Sequence, residues 1–184
     1  MPPARVIILN GVGSVGKSST VRQLQMITTE PFLHVPMDAF LGMLPPATSG
    51  HAGGVIFETV EDRGKPSIAI TTGAVVARAM RGMRHAIGAM AAQGNNLIVD
   101  EVMFGQEAVE YRSILADFDL RFVGLFAPLE IIEAREQERG DREIGLARWQ
   151  YDRVHRDVKY DLEVDAAENG PSERARLICD KFRL

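Results

Sequence analysis

One uninterrupted octet restricts the fold of this 184-residue chain more than any other feature: Gly11-Val12-Gly13-Ser14-Val15-Gly16-Lys17-Ser18. Before it, Val6–Asn10 is an apolar run of strand length. After it, Lys17–Ile27 carries Val21, Leu24 and Ile27 at helical spacing. Strand, glycine-rich turn and helix are the context that the G-x-x-x-x-G-K-[ST] pattern requires. The glycines permit a tight turn with inward-facing N–H groups, and the helix start adds the positive end of its dipole. On this reading Gly11, Val12, Gly13, Ser14, Val15, Gly16, Lys17, Ser18 and Ser19 surround the phosphates of a nucleoside triphosphate. Lys17 lies between the β- and γ-phosphates, and the Ser18 hydroxyl coordinates Mg²⁺.

Short apolar runs alternate with amphipathic stretches along the rest of the chain. Strands are expected at Val6–Asn10, Leu33–Met37, Leu97–Asp100, Arg121–Phe126 and Asp161–Val164. Helices are expected at Lys17–Ile27, Gly73–Ala92, Gln106–Ala116, Leu129–Arg139, Ile144–His155 and Ser172–Phe182. This order predicts an α/β chain with the three-layer P-loop fold: about five parallel strands, helices on both faces, one domain over 1–184. The segment 44–72 breaks the alternation with prolines and glycines. Within it Val55–Val60 and Ser67–Thr71 suggest a hairpin joined by Glu61-Asp62-Arg63-Gly64, either a cover for an acceptor or a surface insertion.

In an open parallel sheet the carboxyl ends of the strands share one edge, where ligands bind. Leu97-Ile98-Val99-Asp100 brings Asp100 to that edge, where it either holds Mg²⁺, directly or through water, or caps the following turn. Glu101 next to it keeps water activation, and hence an ATPase or nucleotide-dependent regulatory module, in view. Asp38, just after the second strand, reaches the same edge opposite Lys17. Two readings stand level for it: orienting and deprotonating an acceptor hydroxyl, or capping a short helix beginning near Ala39. Arg135 and Arg139 share a helix face at i, i+4, a repulsion that a polyphosphate would relieve. Gly140 then offers a hinge for Arg142, so 135–145 reads as a lid; pairing of Glu138 with Arg142 is the plainer alternative.

The chain lacks the Asn-Lys-x-Asp segment of guanine-specific switches. A net charge of −4 offers no footprint for nucleic acid, and no apolar run approaches a membrane span, so a cytoplasmic location is expected. Cys179 is the only cysteine, which excludes an intrachain disulfide. His34, His51, His85 and His155 show no metal-ligand spacing and read as structural or surface residues. Val76, Met80, Met83, Ile87 and Met90 read as a core stripe. Arg78, Arg81 and His85 form a second, solvated face that could alternatively contact an anionic acceptor.

Several segments together resemble the chloramphenicol phosphotransferase family. They are Ile7-Ile8-Leu9-Asn10-Gly11 leading into the lysine loop, Asp38, Ile98-Val99-Asp100-Glu101-Val102, Arg139-Gly140-Asp141-Arg142, and Val158–Asp165. The resemblance implies a kinase fold like that of adenylate and shikimate kinases. It also implies ATP-dependent phosphorylation of a small-molecule hydroxyl, which confers antibiotic resistance in the known enzyme. Asp38 matches the family's catalytic carboxylate, Arg135 and Arg139 match its lid arginines, and the loop after Val164 would border adenine. The chain departs from the family in having Asp100-Glu101 where the family has paired aspartates. It matches only loosely over 53–71, where acceptor specificity should lie. The run Phe40, Leu41, Met43, Leu44, Pro45, Val55, Ile56 and Phe57 contains no cation and suits a neutral alcohol such as chloramphenicol.

Overall fold

A computed structural model of the chain describes residues 2–62, 64–140 and 143–184. Three residues from the readings above, Arg63 of the hairpin turn and Asp141 and Arg142 of the lid, lie outside the described residues.

The elements are, in order, β1 (Arg5–Asn10), α1 (Lys17–Ile27), β2 (Phe32–Pro36), α2 (Met37–Leu41), β3 (Val55–Asp62), β4 (Lys65–Thr72) and α3 (Ala74–Ala92). There follow β5 (Asn96–Glu101), α4 (Gln106–Ile114), β6 (Asp119–Phe126), α5 (Leu129–Arg139), α6 (Leu146–Tyr151), β7 (Leu162–Asp165) and α7 (Pro171–Phe182). The main sheet is parallel, in the order β2-β5-β1-β6-β7. Successive side chains of a strand face opposite ways, so each strand supplies two cores. Ile7 and Leu9 of β1, with Ile98, Val123 and Leu125, pack against α1, α5, α6 and α7. Val6 and Ile8, with Leu97, Val99 and Phe122, pack against α3 and α4. Burial on both faces explains why these strands are apolar without alternation. Each fully buried Ile or Leu contributes roughly 1.5–3 kcal/mol.

Register fixes what meets at the carboxyl edge. Asp100 pairs with Leu9 on one side and Pro36 on the other. The glycine loop leaves β1 and α2 leaves β2, so both flank the Asp100 carboxylate.

The strands β3 and β4 form a separate antiparallel hairpin that pairs Val55 with Thr72 and Phe57 with Ile70. The strands run to Asp62 and Lys65, longer than expected, with Arg63-Gly64 between them.

Several boundaries differ from the sequence-based expectation. The second strand ends at Pro36, and Met37 already begins α2. The last strand is shifted one residue, to Leu162–Asp165, with Asp161 just before it bound to Phe122 twice: its N–H donates to the Phe122 carbonyl, and its carboxylate accepts the Phe122 N–H, each at 2.8 Å. The expected helix Ile144–His155 contracts to Leu146–Tyr151. Its N-cap is Gly145 at φ 97, a left-handed conformation that glycine tolerates, and its C-cap is Asp152. Of the methionine stripe, Val76, Met83 and Ile87 are buried, whereas Met80 is half-buried and helps line a cavity.

Candidate active site

A cavity of about 770 Å³ opens at the carboxyl edge of the sheet. Gly13, Ser14, Gly16, Lys17, Ser18 and Ser19 line one side. Asp38, Asp100 and Glu101 line its floor and far side, and Arg135 and Arg139 its α5 side. Gly11, Val12 and Val15 are buried behind the loop.

The loop takes the form its glycines permit. Gly16 stands at φ 102 as the N-cap of α1, and Ser14 at φ 65. Such alternation turns successive N–H groups to one side, a concavity suited to an anion. Ser14 Oγ is buried and has no hydrogen-bond partner among the described residues, an orphan that a phosphate oxygen would satisfy. Lys17 folds back along the loop, its Nζ donating to the carbonyls of Gly11 at 2.8 Å and Val12 at 3.1 Å. It also lies 4.0 Å from Asp100 Oδ1.

Ser18 Oγ donates to Asp100 Oδ2 at 2.5 Å. Burial pushes the Asp100 carboxyl up, but the His34 ring, the Lys17 ammonium and the Ser18 hydroxyl outweigh it and hold the group below the ordinary carboxylate range. His34 Nε2 sits 3.6 Å from Asp100 Oδ2, so this histidine belongs to the site rather than to the surface. One hydroxyl oxygen beside one ionised carboxylate is a donor set that fits a hard divalent cation such as Mg²⁺.

Glu101 points away from the loop into a buried polar cluster. Tyr111 donates to its Oε2, and Arg84 Nη1 lies 3.7 Å from its Oε1. Burial raises its carboxyl to about 7 against these stabilising contacts. Arg84 also donates to Glu110 at 2.6 Å, so its charge is matched by two carboxylates.

Asp38 is exposed and lines the cavity from the first turn of α2. The helix-cap reading is overturned. The cap position belongs to Pro36, the helix already includes Asp38, and no side chain caps it. Beyond Asp38 the lining includes Val55, Phe57 and Ile70 from the hairpin, Val76 and Met80 from α3, and Trp149 from α6, with Thr72, Arg84 and Glu107 as polar members. Arg81, read as part of a solvated face, is exposed at the rim of this cavity, whereas Arg78 is not among its lining residues.

Arg135 and Arg139 both face the cavity, the first half-buried and the second exposed. Arg135 Nη2 donates to the Ala166 carbonyl at 3.0 Å, and Nη1 to that of Val15 at 3.4 Å. Arg174 donates to the same Val15 carbonyl at 3.1 Å, with its own guanidinium pKa lowered by burial and by Arg135. The short α6 docks through Glu136 of α5, whose two oxygens accept the N–H groups of Gly145 and Ala147, each at 2.8 Å. The Gly145 carbonyl in turn accepts the Ile68 N–H of the hairpin at 3.1 Å.

Sequence reasoning missed His34, Arg84, Glu136, Trp149, Gln150 and Arg174. Each is an isolated residue whose place depends on how helices dock.

Among the described residues, no helix is long and apolar enough to cross a membrane. A family model described as chloramphenicol phosphotransferase-like protein matches residues 4–183. Proteins from two strains of Mycobacterium tuberculosis, provisionally named O-phosphotransferases, are 30% identical over 189 residues, covering 100% of this chain and 84% of theirs. Among solved structures, the Mycobacterium tuberculosis APS kinase in complex with AMPPNP and APS superposes with a TM-score of 0.69 at 17% identity, over 100% of both chains. A sugar kinase from Janibacter gives 0.66 at 19%, covering 98% of this chain and 95% of its own. The Deinococcus radiodurans tunicamycin resistance protein gives 0.65 at 19%, covering 98% and 96%. At these identities the likeness is one of fold, that of the P-loop kinases.

Proposed function

Because this chain belongs to the chloramphenicol phosphotransferase-like family, we propose that it transfers the γ-phosphoryl group of ATP to a hydroxyl of a small neutral molecule. One observation carries this reading. The phosphate loop and Asp38 open into the same cavity, whose hairpin and α3 side carries Val55, Phe57, Ile70, Val76 and Met80, with Arg81 and Arg84 as the cations on that side.

The loop amides and Lys17 hold the polyphosphate, with Lys17 leaving its loop carbonyls to reach the transferring group. Ser18 and Asp100 would hold Mg²⁺, which when bound offsets charge on the phosphate oxygens. Asp38 accepts a hydrogen bond from the acceptor hydroxyl and takes its proton as the new O–P bond forms and the bond to the β–γ bridging oxygen breaks. Arg135 and Arg139 stabilise the charge that builds on the phosphoryl oxygens.

The acceptor side supports a neutral partner. Arg84, the buried guanidinium there, is already balanced by Glu101 and Glu110. Phe57, Ile70, Met80 and Trp149 present surface suited to an aromatic or similarly apolar group. Chloramphenicol has that character and is the first acceptor to try. Glu101 is engaged by Tyr111 and Arg84, which speaks against its serving as the water-activating base of a simple ATPase.

The test is ATP turnover with and without hydroxylated acceptors. Turnover that rises with a neutral alcohol supports the proposal. Turnover independent of every acceptor, or confined to acceptors bearing a phosphate, would contradict it.

A further inference from the structure

Gln150 sits where a ligand of the phosphate loop would be expected. Its Oε1 accepts the Gly13 N–H at 2.8 Å, from the one turn and a half of α6 across the cavity. The side chain is 5% exposed, yet it lines the cavity, and its Nε2 makes no hydrogen bond among the described residues. Its approach is close enough that a Cβ on residue 13 would come within 3.2 Å of Oε1.

Two groups of the loop are thus occupied from within the protein: the Gly13 N–H by Gln150, and the Lys17 ammonium by the carbonyls of Gly11 and Val12. Both are groups that a bound polyphosphate would claim. Gly13 lies three residues upstream of the N-cap of α1, on the side of the loop that faces α6. A β-phosphate held over the helix N-terminus would leave the terminal phosphate as the group nearest Gly13 and Gln150.

We propose that Gln150 is a specificity-determining residue for the triphosphate, closing the Gly13 amide in the empty site and donating Nε2–H to a γ-phosphoryl oxygen in the filled one. This rests on the nucleotide reading above. A carboxamide is the side chain suited to both states. Its oxygen accepts from the backbone when no anion is present, and a half-turn of the amide presents a donor when one arrives. A carboxylate could do only the first. The position is held from both sides: Glu136 fixes the start of α6 to α5, and the Gly145 carbonyl fixes it to the hairpin. Placing the donor on this element ties recognition of the third phosphate to the segment that carries Trp149, part of the acceptor wall.

The experiment measures Mg²⁺-dependent binding of AMPPNP and of ADP by calorimetry in the wild type, Gln150→Glu, Gln150→Ala and Lys17→Ala, with thermal melts of each. A donor to a charged oxygen corresponds to about ten- to a hundredfold in affinity. Gln150→Glu should therefore lose about tenfold or more in AMPPNP affinity while ADP affinity changes less than about threefold. Gln150→Ala should narrow the same ratio without introducing charge, and it carries the test if the glutamate variant does not fold. If both nucleotides weaken equally, or neither changes, while Lys17→Ala still weakens both, Gln150 has no role toward the third phosphate. If the wild type binds neither nucleotide, the nucleotide reading itself falls and Gln150 with it.

Discussion

Ser18 Oγ donates to Asp100 Oδ2 at 2.5 Å, joining the end of the phosphate-loop octet to a strand end 82 residues away. The pair exists because β1 and β5 are hydrogen-bonded neighbours in register Leu9 to Asp100. Two oxygens meet there on the lining of the cavity, one of them on a carboxylate held below the ordinary carboxylate range by its surroundings. If they hold Mg²⁺, Asp100→Asn should raise the Mg²⁺ concentration for half-maximal activity by about tenfold to a hundredfold. A Mg²⁺ titration of turnover checks this. An unchanged midpoint would assign Asp100 to the turn instead.

Lys17→Ala should give a folded protein with little transfer activity. On the proposed mechanism the ammonium would stabilise charge that develops during transfer, and loss of a comparable contact costs roughly 2 to 4 kcal/mol of barrier. A thermal melt near the wild type with turnover down by that factor is the expected result. Wild-type turnover would remove the loop from the mechanism.

His155 predicts a pH dependence of stability. Its ring stacks on Phe126 at 3.9 Å between centroids, and Nδ1 meets the Tyr160 hydroxyl at 2.7 Å. Burial, aided by the Lys17 charge, lowers its pKa from 6.5 to about 4. The unfolded chain binds a proton here before the folded one does. The stability contribution is therefore present above pH 6.5 and lost as pH falls toward 4. Between pH 7 and pH 5 the wild type should lose about 1 kcal/mol more than His155→Gln, once solvent screening on the open side of the ring is allowed for. Urea unfolding at both pH values reads the difference. Parallel losses would mean that the fold leaves the His155 pKa where the unfolded chain has it.

Much of this architecture was legible in the sequence, for reasons that mark where legibility ends. Strands buried on both faces are continuously apolar, so β1, β5 and β6 stood out, and a contiguous octet needs no tertiary information. Asp38 and Asp100 were found because strand ends of a parallel sheet converge. Gln150, Glu136 and His34 were not found, because their neighbours are set by docking between elements distant in sequence. The stretch after Gly145 read as a long helix because its apolar residues keep helical spacing. Backbone bonds to the hairpin and to Glu136 instead hold it as one and a half turns, from Leu146 to Tyr151. The methionine stripe of α3 misled in a subtler way. Its periodicity identified a helix face correctly, but that face runs from core into cavity between Met83 and Met80.

Arg139→Ala should weaken transfer and leave stability nearly unchanged. The residue is exposed in the last turn of α5, where surface ion pairs contribute about 0 to 1 kcal/mol. A chemical denaturation midpoint within error of the wild type, with reduced kcat, is expected. A large loss of stability with normal kinetics in the folded fraction would make Arg139 a structural residue.

Asp38 is proposed to serve an acceptor hydroxyl in the cavity it shares with the phosphate loop. Asp38→Asn preserves size and removes the proton acceptor, a change that costs a general base on the order of a hundredfold or more. The direct measurement follows the acceptor by mass spectrometry after incubation with ATP and Mg²⁺, starting with chloramphenicol and extending to other neutral alcohols. One added phosphoryl group is expected with the wild type, its rate at least about a hundredfold lower with Asp38→Asn, and ATP affinity alike in both proteins. Equal rates in the two proteins, or modification of phosphorylated acceptors alone, would contradict it.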